Sequence, residues 1–516
     1  MGGRNDNVSA TSGLHFPLIE SVHKHKTNRF SFLCAIIASM SSVLLGYDIG
    51  VMSGAAIYIQ QDFQISDVKV EILVGIISLY ATIGAAAAGK TSDWIGRRYT
   101  MVLAAGLFFI GAILMGFASN YSLLMSGRFV AGIGIGYASL IASVYTAEVS
   151  PASSRGCLSS LPEVFVNVGI LLGYVSNYAF SKLPVQLGWR LMLGIGFIPS
   201  VFLAAVVILI MPESPRWLVM QGRLGEAKQV LIRTSDSIEE SLQRLDDIKN
   251  AVGIPASCKE DVQIPKRSTH GDGVWKEFFL RPTPAVRHIL ITVVGLHFFH
   301  EASGMNAIVL YSPRIFAKAG ISSSDHKLLT TVAVGVTKTA FILVATVLFD
   351  RVGRRPLILM SIGGMIISLI TLGVGLTILE GSHEQGTWVV GLCVAMVLSN
   401  VAFFSMGIGP MSYVGSELFP LKLRAQGVSV GMVVNTVTGG VVTMTFLSLY
   451  NAITIGGAFF LYAGIAIVGW IFFYVVFPET RGKNLEQVEG LFGNLLWKFY
   501  VKKADTLDDV ENSGNA

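Results

Sequence analysis

Twelve apolar runs, each close to the length of a bilayer-crossing helix, dominate this 516-residue chain. A spanning helix needs about 20 mainly apolar residues. The first six runs occupy residues 31–60, 72–89, 99–119, 123–147, 157–181 and 191–211. A polar stretch over 213–288 follows, and six further runs occupy 289–312, 328–349, 356–379, 387–416, 425–450 and 456–477. Charged residues make up only 14% of the chain, against about a quarter in a soluble domain. That is too little polar surface to wet a soluble protein of this size, and a lipid-facing surface accounts for it. The pattern predicts an all-α membrane protein of 12 transmembrane helices. It divides into a polar tail (1–29), a six-helix half (30–212), a helical linker (213–288), a second six-helix half (289–478) and a polar tail (479–516).

Lysine and arginine in the short loops give the orientation. Lys90, Arg97 and Arg98 follow run 2, Arg155 follows run 4, Arg351, Arg354 and Arg355 follow run 8, and Lys422 and Arg424 follow run 10. The loop after run 1 is acidic on balance, with Asp62, Asp67 and Glu71 against Lys69. The loop after run 7 dissents, with Arg314, Lys318 and Lys327. The bias places both termini and the linker in the cytosol. The first 29 residues lack an apolar core followed by a cleavage site, so no signal peptide is read. The four cysteines (34, 157, 258 and 393) show no metal-binding spacing, and no metal or organic cofactor is expected. The clustering of charge in loops argues against nucleic acid as a partner.

The two halves repeat each other. Asp93-Trp-Ile-Gly96-Arg97-Arg98 matches Asp350-Arg-Val-Gly353-Arg354-Arg355, Glu148 with Arg155 matches Glu417 with Arg424, and Pro212-Glu213-Ser214 matches Pro478-Glu479-Thr480. The matched residues are offset by 257, 269 and 266 positions, about half the chain. Each copy follows the second, fourth or sixth run of its half. Parallel six-helix halves are the architecture of major facilitator transporters, which bind substrate between the halves. Asp93, Gly96, Arg97, Arg98, Glu148, Arg155, Glu213, Arg216, Asp350, Gly353, Arg354, Arg355, Glu417, Arg424 and Glu479 are therefore expected to form cytosolic latches. One exposed ion pair is worth about 0–1 kcal/mol; a network is needed to bias two states. The alternative is a topology signal alone, which duplication at matching sites disfavours.

The motifs Gly89-Lys-Thr-Ser-Asp-Trp-Ile-Gly-Arg-Arg98, Gly127-Arg-Phe-Val-Ala-Gly-Ile-Gly-Ile-Gly136, Pro212-Glu-Ser-Pro-Arg-Trp217 and Pro478-Glu-Thr480 resemble those of the sugar porter family, from about residue 30 to 490. Gly46-Tyr-Asp-Ile-Gly-Val-Met-Ser-Gly54, Pro162-Glu-Val164 and Arg281-Pro-Thr-Pro-Ala-Val-Arg287 are similar to the plant polyol/monosaccharide transporters within it. The resemblance implies the major facilitator fold in two pseudo-symmetric halves and proton-coupled uptake of linear polyols, cyclitols or monosaccharides. It also implies a multi-pass protein of the plasma membrane, with the vacuolar membrane as an alternative, working as a monomer in the lipid bilayer.

Asp48 interrupts the first run. An ionisable group at that depth costs about 2.5–3.5 kcal/mol, which marks it as functional. Arg128, in the fourth run, is the natural counter-ion, and by resemblance the two match the proton-coupling pair of sugar symporters. The alternative is a static ion pair. For the substrate, the resemblance points to Glu163, His300, Glu301, Asn306, Tyr311, Lys338, Phe404, Tyr413 and Asn435. Asn306, Tyr311, Phe404 and Asn435 keep the family's residue types. His300 and Glu301 stand where the family has two glutamines, Lys338 where it has asparagine, and Glu163 where only the polyol branch has glutamate. The stretch Gly409–Glu417 is one residue shorter than the family pattern, leaving Tyr413 nearest a family tryptophan. A one-residue deletion turns a helix by about 100°. Gly132-Ile-Gly-Ile-Gly136 sits within an apolar run and is read as close helix packing, and His297 as a packed interior histidine. A facilitative carrier, a carrier of another small metabolite and a non-transporting sensor stand as alternatives. No nucleophile–base set appears, so no enzyme is expected.

Overall fold

The computed structural model describes residues 29–151, 155–252, 254, 283–381, 387–411, 418, 419 and 424–478. These form helices joined by short connections. The first half holds span 1 (Arg29–Phe63), span 2 (Asp67–Ile95), span 3 (Arg97–Gly116), span 4 (Tyr121–Val149), span 5 (Arg155–Phe180) and span 6 (Val185–Ile210). The second holds span 7 (Pro284–Ala302 and Met305–Lys318), span 8 (Ser324–Val352), span 9 (Arg354–Gly381), span 10 (Thr387–Met411), span 11 (Arg424–Ile453) and span 12 (Ile455–Val476). Eleven helices among the described residues are long and apolar enough to cross a membrane. Span 7 completes the twelve as two pieces, broken where Gly304 takes φ +80°. Hydropathy alone reads this segment as one run, because a single left-handed residue leaves composition unchanged.

Glycine decides which helices touch. Gly46, Gly50 and Gly54 line one face of span 1. A Cβ on Gly46 would lie 1.9 Å from the Val166 carbonyl oxygen, and one on Gly50 2.3 Å from that of Ile170. Gly169 and Gly173 answer from span 5 against the span 1 backbone. The Gly132–Gly136 motif does the same in span 4: a Cβ on Gly136 would lie 2.1 Å from the Ala81 carbonyl oxygen. That is the close packing small residues permit in lipid. In the duplicated D-x-x-G-R-R motif the glycine is conformational. Gly96 and Gly353 take φ +94° and +99° between spans 2 and 3 and between spans 8 and 9, a backbone region open chiefly to glycine. The arginines that follow act alike. Arg98 donates to the Ile208 carbonyl of span 6, and Arg355 donates to the Tyr474 carbonyl of span 12 at 2.7 Å.

Three linker helices, Pro215–Met220, Leu224–Thr234 and Ile238–Val252, enclose a small core including Leu218, Val219, Leu231 and Leu245. Their end of the bundle is the linker face. Arg244 reaches from them to the carbonyls of Glu148, Val149 and Ser150, closing the C-terminus of span 4.

The halves meet between spans 2 and 11, between span 5 and spans 7 and 8, and between span 1 and the second piece of span 7. Spans 2 and 11 join through Glu71 with Ser448, Gly75 against Met444, and Thr82 with Thr436, whose hydroxyls lie 2.7 Å apart. Towards the linker face the same stripes part: Ala86, Lys90, Ser429 and Val433 are exposed. Span 5 joins the second half through the Tyr174 hydroxyl on the Val309 carbonyl and the Thr339 hydroxyl on the Asn167 carbonyl. The seam is thus zipped on the face opposite the linker and open beside it.

Replacing Gly50 with valine should cost about 3 kcal/mol by overpacking, because backbone stands where the side chain would go. Thermal unfolding in detergent checks this against Gly106→Ala, whose Cβ would meet nothing within 4 Å and which should leave the midpoint unchanged.

Candidate functional site

Asp48 and Arg128 lie deep in the first half, 2% and 0% exposed. Span 1 carries the carboxylate and span 4 the guanidinium. Arg128 Nη1 lies 2.6 and 2.8 Å from the two carboxylate oxygens. Its Nε donates to the Leu73 carbonyl at 3.1 Å and its Nη2 to that of Val74 at 3.2 Å. The guanidinium therefore ties three helices, and two of its contacts do not need Asp48 to be charged.

In the second half, the break in span 7 gathers a polar cluster. His300 Nδ1 lies 3.0 Å from Glu301 Oε1 and 3.2 Å from Asn435 Nδ2, and Asn306 donates to Glu301 Oε2. One ring nitrogen carries one proton or one lone pair. Donation to Glu301 therefore leaves the Asn435 amide for another partner. The His300 ring packs on Phe404 with centroids 4.9 Å apart, and Lys338 Nζ sits 6.0 Å from the Phe404 centroid. Lys338 of span 8 is within electrostatic range of Glu163 on span 5 of the first half and of Glu301 on span 7 of the second. The structure thus brings together Glu163, His300, Glu301, Asn306, Lys338, Phe404 and Asn435. Tyr311 stands apart: it is 2% exposed, its hydroxyl is taken by the Thr443 carbonyl at 2.9 Å, and its ring stacks on Phe446. Tyr413 lies outside the described residues. Just before it, span 10 is interrupted at Gly407, whose N–H turns back to the Phe404 carbonyl, while the Ile408 N–H goes to Ser361 Oγ. His297 is buried, packed against Gly431.

At the linker face, Arg97 pairs with Glu148 through Nε at 3.1 Å and Nη2 at 3.2 Å, and with Asp93 at 2.9 Å. Glu213 accepts the backbone N–H groups of Arg97, Arg98 and Ser214 at the N-terminus of span 3, where the helix dipole favours an anion. Burial pushes the Glu213 carboxyl up, and these N–H groups oppose that. Ser214 Oγ donates to Glu148 at 2.5 Å, and Trp217 Nε1 to the Asp93 carbonyl at 3.0 Å. Among the described residues, the bonds of this cluster join the first half to the linker. Arg216 is exposed and makes no polar contact with it among the described residues. Arg354 and Arg355 are half-buried at the start of span 9. Glu417 and Glu479, with the side chains of Arg155, Asp350 and Arg424, lie outside the described residues.

The opposite face holds a contact set that motif reading misses. Arg314, on the second piece of span 7, donates to Asp67 at 3.1 Å and to Gln60 at 2.5 Å, and Gln60 donates to Asp67 at 2.8 Å. Glu71, 1% exposed, accepts the Ser448 N–H at 2.8 Å and its hydroxyl at 2.5 Å. The signal was present as the loop that broke the charge rule: Arg314 is there to meet an acid of the other half.

Comparison with known proteins agrees with this geometry. Residues 34–492 match the sugar (and other) transporter family. The chain is 60% identical over 475 residues to "Polyol transporter 5" of Arabidopsis thaliana, covering 92% of this chain and 88% of that protein. It is likewise 60% identical over 470 residues to "Putative polyol transporter 2" of the same plant, covering 90% and 92%. The proton:xylose symporter XylE bound to 6-bromo-6-deoxy-D-glucose superposes with a TM-score of 0.74 at 26% identity, over 90% of this chain and 99% of that one. A partially occluded inward open conformation of XylE from E. coli gives 0.73 at 25% identity, over 88% and 99%.

Arg314→Ala should loosen the seam on the face opposite the linker. The partly exposed pair is worth at most about 1 kcal/mol, so the open population should rise up to about five-fold. Spin labels at Ser66 and Ser322 would report a shift to longer distances; an unchanged distribution contradicts the assignment.

Proposed function

The chain belongs to the sugar (and other) transporter family, and we propose that it imports a polyol or monosaccharide together with protons by alternating access. The observation that carries the proton coupling is the buried Asp48–Arg128 pair. A carboxylate enclosed in a helix bundle must be either paired or protonated. With Asp48 charged, Arg128 is shared between it and the carbonyls of Leu73 and Val74. Once Asp48 is protonated, span 1 is held less tightly to spans 2 and 4 and can move with the rest of its half. Asp48 is thus the proton carrier and Arg128 the group that senses its charge.

The cargo follows from the polar cluster and from the names of the plant relatives. A polyol presents many hydroxyls and C–H edges but no charge. Glu163, Glu301, Asn306 and Asn435 offer acceptors and amide donors for the hydroxyls. Lys338 offers ammonium protons, and Phe404 offers an apolar face. Two carboxylates beside a lysine favour a substrate with several adjacent hydroxyl donors. Tyr311 acts through packing, since its hydroxyl is already taken.

In this reading the linker face is cytosolic, so both termini are cytosolic and the seam zipped by Arg314 and Glu71 is the closed external gate. The open stripe beside Ala86 and Val433 faces the cytosol, and the conformation is inward-open. The linker-face cluster of Asp93, Arg97, Glu148 and Glu213 is the first half's part of the cytosolic latch, to be completed across the halves when the external gate opens. The protein acts as a monomer, in the plasma membrane, with the proton as its only coupling partner.

Proteoliposomes offered hexoses, pentoses, linear polyols and inositol, with and without an acidic exterior, test this. Accumulation of at least one of them above equilibrium is expected only under the acidic exterior. Failure of the whole panel to move overturns the cargo assignment, and uptake indifferent to the gradient overturns the coupling.

A further inference from the structure

Asn167 belongs to none of the motifs above, yet it sits beside Glu163 where span 5 meets span 8 of the other half. It lies one helical turn beyond Glu163 on span 5 and is 1% exposed. Its Nδ2 donates to the Glu163 carbonyl oxygen at 2.8 Å and to the Glu163 carboxylate oxygen Oε1 at 3.2 Å. Its backbone carbonyl lies 3.3 Å from the hydroxyl of Thr339, which shares its single proton with the nearer Gly335 carbonyl at 2.9 Å. Thr339 follows Lys338 on span 8, so this turn of span 5 lies against the turn of the other half that carries the lysine. The Asn167 Oδ1 is buried and has no hydrogen-bond partner among the described residues. A buried amide with an unsatisfied oxygen is unfavourable where an aliphatic residue would pack freely. The bond it makes to the carboxylate is what sets this amide apart from an aliphatic side chain at the same place.

We infer that Asn167 is a positioning residue: it holds the Glu163 carboxylate at the level of Lys338 in the space between the halves, and so sets substrate affinity without touching substrate. A glutamate has three rotatable side-chain bonds, and an unrestrained carboxylate would either wander or collapse onto the nearby ammonium. The amide fixes one oxygen and leaves the other free to accept a hydroxyl. The Thr339 contact sets this unit against the turn of span 8 that carries Lys338. The inference rests on Glu163 being a substrate-facing acceptor, as proposed above.

The test measures uptake by proteoliposomes containing the full chain, with the panel member that the wild type moves. Asn167→Leu removes both amide groups at similar volume. Asn167→Thr keeps a hydroxyl that reaches the Glu163 carbonyl but not its carboxylate. Both should raise KM about ten-fold with kcat within about two-fold, the pattern of lost binding rather than lost turnover. Glu163→Gln should raise KM similarly, and adding Asn167→Leu to it should change KM less than about two-fold, because the carboxylate to be positioned is gone. A general packing role predicts the opposite, with multiplied effects and lower kcat in each background. Asn167 variants with unchanged KM beside a Glu163→Gln variant with raised KM would overturn the positioning role alone. Unchanged KM in Glu163→Gln would overturn the reading of Glu163, and the inference with it. Elution as a single symmetric peak qualifies each variant, and Asn167→Thr carries the test if Asn167→Leu fails to fold.

Discussion

The structure is organised around one ion pair that lipid and protein would both otherwise exclude. Asp48 and Arg128 are almost wholly buried, and removing either partner of such a pair leaves an uncompensated charge at a cost of about 3–5 kcal/mol. Much around them serves to make that burial possible. The glycine face of span 1 lets span 5 approach to backbone contact, and the glycines of span 4 do the same towards spans 2 and 3. The Leu73 and Val74 carbonyls supply the remaining acceptors of the guanidinium. A proton on Asp48 changes the balance of all these contacts at once.

That local event needs a bistable frame to act on, and the pseudo-symmetric halves supply it. Each half is stiff internally, through glycine packing and the repeated turn at Gly96 or Gly353. The seam between them mixes polar contacts, namely a pair of threonine hydroxyls, two carbonyls met by side-chain hydroxyls, and the Glu71 and Arg314 contacts, with the packing of Gly75 on Met444 and of Gly335 on Tyr174 and Leu171. Polar contacts of this kind exchange readily for others of similar energy.

Much of this was legible in the sequence, for identifiable reasons. Lipid imposes length and apolarity on every span, so hydropathy finds them. The Gly132–Gly136 motif was legible as close helix packing because glycines within an apolar run leave room for a neighbouring backbone, whereas the positive φ of Gly96 and Gly353 shows only in the structure. Asp48 stood out because charge is costly at its depth. What escaped was long-range. Glu71 was read as part of an acidic loop, because composition does not show that the helix begins at Asp67 and carries it to Ser448, 377 residues away. Tyr311 matched a family pattern whose hydroxyl is taken here by Thr443. Asn167 carries no charge to betray it; its role is visible only once Glu163 and Thr339 are placed around it.

The account stands or falls on Asp48 as the coupling group, and Asp48→Asn reads it directly, by comparing exchange with accumulation in the same proteoliposomes. The amide keeps the shape and cannot cycle a proton at this position. The variant should still exchange labelled for unlabelled substrate at a rate comparable to the wild type, yet fail to accumulate it under an acidic exterior. Accumulation against a gradient by Asp48→Asn, at the wild-type level, would contradict the assignment of proton coupling to this pair.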